Sequence, residues 1–379
     1  MAFFLTDEQR AIRDMAKKFS VDEMLPHAAE WDEKKIFPRD VLRKAAGLGF
    51  AAIYVSPDHG GVGLSRLDAA LIMEQLAYGC PSTAAFISIH NMCAWMIDAF
   101  GSEQQRKKYL PKLATMELIA SYCLTESSSG SDAAALTTRA KKDNENYVMN
   151  GSKAFVSGGG ESDIYLVMCR TGGDGPKGIS CMIVEKGMKG LSFGARERKM
   201  GWNSQPTTTV NFDDCRVPVE NLLGEEGIGF KIAMQGLDGG RLNIGACSLG
   251  GAQFAFDTAL AYVKERKQFG KRIADFQATQ FKLADMATEL EAARLLLYAA
   301  AVKVEKGAHD ATMAAAMAKR FATDIGFRVT NEALQLHGGY GYLKDYPIER
   351  ILRDLRVHQI LEGTNEIMRV VISKHLLKD

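Results

Sequence analysis

Tyr147-Val148-Met149-Asn150-Gly151-Ser152-Lys153-Ala154-Phe155 is where the chain changes its rhythm. Up to about residue 120, apolar residues recur at helical spacing, with breaks at Pro26, Pro38, Pro57-Asp58-His59-Gly60-Gly61, Pro81 and Pro111. In the quoted stretch the period is two, and its Asn-Gly pair predicts a hairpin turn. Asp163 to Cys169, Ile179 to Val184 and Thr207 to Phe212 read as further strands. After Gly224-Glu225-Glu226-Gly227 the helical period returns. It is clearest in Leu283, Met286, Leu290, Ala293, Leu297, Ala300 and Val304, with Gly307 as a stop signal. The expected fold class is α+β, mainly α: an N-terminal helical domain over residues 1–120, a small antiparallel β domain over 121–228 and a C-terminal helical bundle over 229–379, packed as one body.

Composition narrows the function. The chain has 379 residues, 46% hydrophobic and 25% charged, which suits a globular protein of more than one core. Forty-seven basic residues face 46 acidic ones, so no net field favours nucleic acid or a membrane surface, and an anionic ligand needs local donors. No run of 18 apolar residues occurs, and no signal-peptide n-region opens the chain; Thr6 or Asp7 caps a first helix instead. The expected location is cytoplasmic, or the mitochondrial matrix if a transit peptide was removed. Seven scattered cysteines without a C-x-x-C read as reduced thiols, and His90 with Cys93 reads as a buried polar pair, not a metal site.

Near the C-terminus, Arg356-Val357-His358-Gln359-Ile360-Leu361-Glu362-Gly363-Thr364-Asn365-Glu366-Ile367 sets one carboxylate in an apolar run before a glycine and a helix start. Desolvation there raises a carboxyl pKa, which suits a base for a weakly acidic proton. The bland alternative is a capping turn whose Glu362 only complements the helix N-terminus. Gly363 permits close backbone approach, and Thr364 or Asn365 caps the following helix. A second stretch, Tyr122-Cys123-Leu124-Thr125-Glu126-Ser127-Ser128-Ser129-Gly130-Ser131-Asp132, is a hydroxyl-rich loop after a short apolar run; Phe155-Val156-Ser157-Gly158-Gly159-Gly160 follows it. Neither G-x-G-x-x-G after a strand nor G-x-x-x-x-G-K-[ST] occurs, so the common phosphate cradles are absent.

These three stretches, with Arg266-Lys267-Gln268-Phe269-Gly270 and Gln335-Leu336-His337-Gly338-Gly339-Tyr340-Gly341, resemble in order the acyl-CoA dehydrogenase family of flavoproteins, over nearly the whole chain. The resemblance implies a middle antiparallel β-barrel and a C-terminal four-helix bundle. It implies FAD lying extended between them, an acyl-CoA substrate, an electron-transfer flavoprotein as partner, and a homo-oligomer, usually a tetramer. Glu362 is then the base that takes the α proton. A backbone N–H at Glu362 and a ribityl hydroxyl of FAD polarise the thioester carbonyl.

The implied flavin contacts are Tyr122, Leu124, Thr125, Gly130, Ser131, Phe155, Val156 and Ser157. Across a subunit interface they are Arg266, Gln268, Phe269, Phe276, Gln277, Gln335, Leu336, His337, Gly338 and Gly339. Thr364, Asn365 and Glu366 follow the base. The acyl-CoA side falls to Ser131, Asp238, Gly239, Gly240, Arg241, Leu361, Gly363 and Lys374. The bland readings are a strand-core role for Tyr122, a solvated helix end for Arg266-Lys267 and an interhelical ion pair for Arg241. The chain departs from the usual pattern at Ser127 for proline, Phe155 for tryptophan and Ser157 for threonine. Ser88-Ile89-His90-Asn91-Met92-Cys93-Ala94-Trp95-Met96-Ile97-Asp98, Trp202-Asn203-Ser204-Gln205-Pro206-Thr207 and His358 to Leu361 imply a short branched acyl group, isobutyryl-CoA first, with butyryl-CoA or 2-methylbutyryl-CoA as alternatives. The rivals from other classes are a non-catalytic flavoprotein of this fold and a purely helical scaffold.

Overall fold

The computed structural model describes residues 5–378. Helices α1 (Asp7–Phe19), α2 (Ala28–Lys34), α3 (Arg39–Gly47), α4 (Arg66–Gly79), α5 (Pro81–Phe100) and α6 (Glu103–Ala114) come first. Thr6 caps α1 in a reciprocal box with Gln9, and Pro81 opens α5 at its first turn, where a missing N–H costs nothing. Pro111, expected as a break, lies inside α6 in its last turn, where only one helical hydrogen bond is lost.

Strands β1 (Ala120–Cys123), β2 (Arg139–Asp143), β3 (Asn146–Ser157), β4 (Ile164–Arg170), β5 (Ile179–Glu185), β6 (Leu191–Phe193), β7 (Thr207–Pro218) and β8 (Leu222–Leu223) form one sheet in the order β6-β7-β3-β2-β4-β5-β8, with β1 beside β4. The expected antiparallel domain is in fact mixed, since β1 and β2 each pair β4 in parallel. The expected Asn150-Gly151 hairpin turn is also corrected. β3 runs straight through it, and the turn to β2 lies at Asn144, whose φ is +53°. Gly151, at φ +141°, sits in a slip of the β3–β7 ladder instead, with Thr138 packed where a side chain would go.

The 37-residue α7 (Gly229–Glu265) is the spine of the molecule. It packs on α4 and α5 of the first region, on β5 of the sheet, and on α8 (Gln277–Glu305) and α9 (Ala311–Leu336), after a short hairpin of β9 (Lys267–Gln268) and β10 (Lys271–Arg272). Gly250 lets α7 approach α4 closely, because a Cβ there would collide with the Glu74 carbonyl. The shorter α10 (Ile348–Arg356) and α11 (Asn365–Leu376) lie on α9 and complete the bundle. His90 pairs with backbone and not with Cys93. Its Nε2 donates to the Leu113 carbonyl at 2.9 Å, its Nδ1 accepts from the Ala120 N–H at 3.2 Å, and Cys93 lies in the apolar cluster between α5 and the sheet. No helix among the described residues is long and apolar enough to cross a membrane.

Candidate active site

Glu362 lies between α10 and α11 with a left-handed backbone, φ +56°, followed by Gly363 at +87°. A non-glycine residue in that region costs about 1–3 kcal/mol and persists only where its surroundings impose it. Here they do. Arg241 Nε donates to the Glu362 carbonyl at 3.3 Å, Lys319 Nζ donates to the Gly363 carbonyl at 2.8 Å, and Thr364 caps α11 by accepting from Ile367 N–H at 3.2 Å. The backbone turn brings the carboxyl onto α7 at Gly240, where an added Cβ would lie 2.5 Å from Oε2. Gly240 is therefore a seat for the carboxyl.

That carboxyl is poorly satisfied. Oε2 is buried without a hydrogen-bond partner, although the residue as a whole is half-buried. Burial pushes its pKa up to about 7, against the pull of Arg241 and Lys319. Lys319 is itself pushed down to about 8 by burial, with Glu362 opposing. The Tyr122 hydroxyl is also buried and partnerless, and its pKa is raised well above its usual value by burial and then by the Glu362 charge. Two buried, partnerless polar atoms that feel one another electrostatically call for a ligand's polar atoms.

The hydroxyl loop is anchored from below by Glu126. Its oxygens accept from Thr137 N–H and Oγ1 at 2.7 Å, from Thr138 N–H at 2.9 Å and from Lys153 Nζ at 2.8 Å; Lys153 also donates to the Leu124 carbonyl at 3.0 Å. Ser127, Ser128, Gly130 and Ser131 stay exposed and Thr125 half-buried. Next to them the β3–β7 ladder slips between Lys153 and Val156, and Phe155, at φ +55°, turns its ring outward to 68% exposure. An exposed ring beside a loop with free amides and hydroxyls fits a flat heteroaromatic group. Leu124 and Val156 send their side chains into the core, so only their backbone is available.

Arg266, Gln268 and Gln335 to Gly339 meet elsewhere, in a cleft of about 530 Å³ that shares no residue with the surroundings of Glu362. A guanidinium facing the bare backbone of Gly338 and Gly339 suits a phosphate-bearing ligand. His337 is committed inward, stacked on Tyr262 at 4.3 Å with Nδ1 on the Ala333 carbonyl. Phe269, 91% exposed, tips the two-residue β9–β10 turn, and Phe276 and Gln277 begin α8 outside this cleft.

Several expected residues are used differently. Asn365 does not cap α11; it is buried, with its side chain on Asp324, Thr323 and Lys319, so only its backbone remains for a ligand. Arg241 does make an ion pair, with Asp238 at 2.7 Å, and holds the Glu362 carbonyl as well. Asp238 and Gly239 adjoin it on α7; Gly239 faces the Arg66 guanidinium. Glu366 and Lys374 are exposed on α11, and Leu361 is partly buried. Sequence reading missed Lys319, a lysine on an alanine-rich helical face, and missed the roles of Trp202, Asp354 and His358. A charged residue on an otherwise apolar face was the available signal for Lys319. Among the described residues no group of His, Cys, Asp and Glu could hold a metal.

Comparison with known proteins gives the same order of parts. Residues 6–117, 121–215 and 227–377 match the N-terminal, middle and C-terminal domains of acyl-CoA dehydrogenases. The chain is 58% identical over 375 residues to a mitochondrial isobutyryl-CoA dehydrogenase of Bos taurus, covering 99% of this chain and 90% of that protein. It superposes on a chain from the structure of an electron transferring flavoprotein of Acidaminococcus fermentans with a TM-score of 0.97 and 45% identity, and on butyryl-CoA dehydrogenase of Megasphaera elsdenii with 0.96 and 41%, each over the full length of both chains. With a partnerless carboxyl seated on α7, an exposed ring beside an open loop and all three domains matched in order, the chain belongs to the acyl-CoA dehydrogenase family of FAD-dependent oxidoreductases.

Proposed function

We propose that this enzyme oxidises isobutyryl-CoA to the corresponding 2-enoyl-CoA, with Glu362 as the base. The observation that carries the reading is the buried, unpaired Oε2 of Glu362, whose pKa of about 7 matches the pH at which a base must be both free of its proton and strong enough to take one. Glu362 removes the α proton: the C–H bond breaks and an O–H bond forms at the carboxyl. Among the described residues nothing accepts from the Glu362 N–H, which leaves it to donate to the thioester oxygen as charge gathers there. A flavin held by the hydroxyl loop and Phe155 would supply the acceptor for the hydride leaving the β carbon.

Thr125, Phe155 and Ser157 hold the flavin ring, with Tyr122, Gly130 and Ser131 around it. Arg266, Gln268, Phe269, Phe276, Gln277 and Gln335 to Gly339 serve the rest of the cofactor of a neighbouring copy. Their separation from Glu362 within one chain supports that reading and a homo-oligomer, which we propose to be a tetramer. Ser131, Asp238, Arg241 and Lys374 face the CoA portion, and Leu361 borders the acyl group. An electron-transfer flavoprotein reoxidises the enzyme, a reading supported by the likeness to the chain from Acidaminococcus. The higher identity to the bovine isobutyryl-CoA enzyme than to the butyryl-CoA enzyme supports a branched substrate.

Anaerobic titration of the FAD-loaded protein with isobutyryl-, butyryl- and 2-methylbutyryl-CoA tests this. The oxidised-flavin band should bleach with all three, fastest with isobutyryl-CoA. No bleaching with any of them removes the dehydrogenase reading, and preference for butyryl-CoA removes the branched one.

A further inference from the structure

We infer that Trp202 is the wall that limits the acyl pocket and so decides which chain lengths this enzyme accepts; the inference rests on the acyl-CoA reading above. Trp202 sits in the loop between β6 and β7, far in sequence from Glu362, with a left-handed backbone at φ +55°. For so bulky a residue this is a strained conformation, and such strain clusters where function demands a placement. Two hydrogen bonds hold it. The Trp202 N–H donates to Asp354 Oδ1 at 2.6 Å, and the indole Nε1–H donates to His358 Nε2 at 3.2 Å.

His358 is itself fixed. An indole N–H only donates, so His358 Nε2 accepts and the ring proton lies on Nδ1, which donates to Ser248 Oγ of α7 at 2.9 Å. Burial keeps this imidazole neutral, with its pKa down to about 3. A chain of hydrogen bonds thus ties the β6–β7 loop to α7 and sets the plane of the indole.

The ring packs in a cluster that reaches the residue before the base. Trp202 packs with Ala85 of α5 and Ile244 of α7, and with Val357 and Leu361, which are only partly buried. Ile244 lies one helical turn beyond Gly240, the seat of the Glu362 carboxyl, and Leu361 is bonded to Glu362 itself. An acyl carbon brought within proton-transfer reach of Glu362, roughly 3 Å, would therefore turn its substituents toward this cluster. The indole N–H is spent on His358, so the wall offers hydrocarbon only. Ala85 leaves room for a short or branched group, and Trp202 stops a longer one.

The test compares kcat/KM for isobutyryl-CoA and hexanoyl-CoA in the FAD-loaded wild type, Trp202→Leu and Trp202→Phe. Trp202→Leu should raise the hexanoyl-to-isobutyryl ratio at least about 10-fold, since each methylene in such a pocket discriminates by roughly 10- to 200-fold. Trp202→Phe keeps a ring and should move the ratio the same way by less; it also serves if the leucine variant does not fold. An unchanged ratio in a variant that retains FAD and wild-type thermal unfolding overturns the inference. A wild type that fails to oxidise isobutyryl-CoA fails the functional reading instead, so the two failures are distinguishable.

Discussion

Glu126 and Glu362 both withdraw a carboxyl from bulk water, but Glu126 meets four donors, whereas Oε2 of Glu362 meets none. Their acidities diverge accordingly. Burial alone would raise both. At Glu126 the Lys153 hydrogen bond and charge, with the Thr137 and Thr138 donors, overcome it and hold the pKa at about 2, while at Glu362 burial outweighs Arg241 and Lys319 and leaves it at about 7. The difference teaches that depth does not make a base. What matters is whether the fold satisfies the charged form or leaves that to the reaction.

The comparison breaks most visibly at Glu126. Glu126→Gln removes the one carboxylate that pairs with Lys153 among the described residues; the Lys153 side chain has no exposed surface, so a buried ammonium loses its counter-charge. Loss of one partner of a buried pair costs about 3–5 kcal/mol, so the urea-unfolding midpoint should fall sharply. An unchanged midpoint means that the pair is not what anchors the hydroxyl loop.

The next largest effect is catalytic. Glu362→Gln keeps the shape but cannot take a proton, so reductive bleaching should slow by about 100-fold or more while FAD content stays near wild type. Activity above roughly a hundredth of wild type removes Glu362 as the base.

A smaller effect sharpens the contrast through pH. If Glu362 is the base, kcat/KM should rise as pH approaches about 7 and then level off, because only an ionised carboxyl can accept the proton. Stability should show the opposite sense at the two sites. Glu362, with a raised pKa, contributes most when protonated, and that contribution is lost as pH rises from the usual carboxylate range to about 7. Glu126, with a depressed pKa, contributes fully above the usual range and loses it as pH falls toward about 2. Measured by urea unfolding, wild type and Glu362→Gln should therefore diverge between about pH 4.5 and 7. Parallel curves there contradict the raised pKa.

The desolvated carboxyl of Glu362 was legible because an isolated carboxylate in an apolar run beside a glycine shows its setting in local sequence. Arg266 and Gln335 to Gly339 were legible as short motifs, and they do converge on one cleft. The strand positions held better than the strand directions. Asn150-Gly151 looks like a turn locally, yet the long β3–β7 pairing absorbs it as a ladder irregularity, because many cross-strand contacts outweigh one dipeptide's preference. Of the two capping candidates Thr364 caps α11, and Asn365 is turned elsewhere for a similar reason. It is a good capping residue by type, but Asp324, Thr323 and Lys319 from α9 claim its amide.

The sequence by itself determined the alternation of helical and extended segments, the cap at Thr6 and the candidate base, since each depends on neighbours a few bonds or one turn away. Tertiary structure alone decided the seat at Gly240, the cations Arg241 and Lys319 that hold the base's loop, and the Trp202–His358–Ser248 chain across three parts of the fold. These depend on burial and on contacts between residues as much as 156 positions apart, as Trp202 and His358 are. No local pattern encodes them, because a side chain's pKa and placement follow from what surrounds it in space, not from what precedes it in the chain.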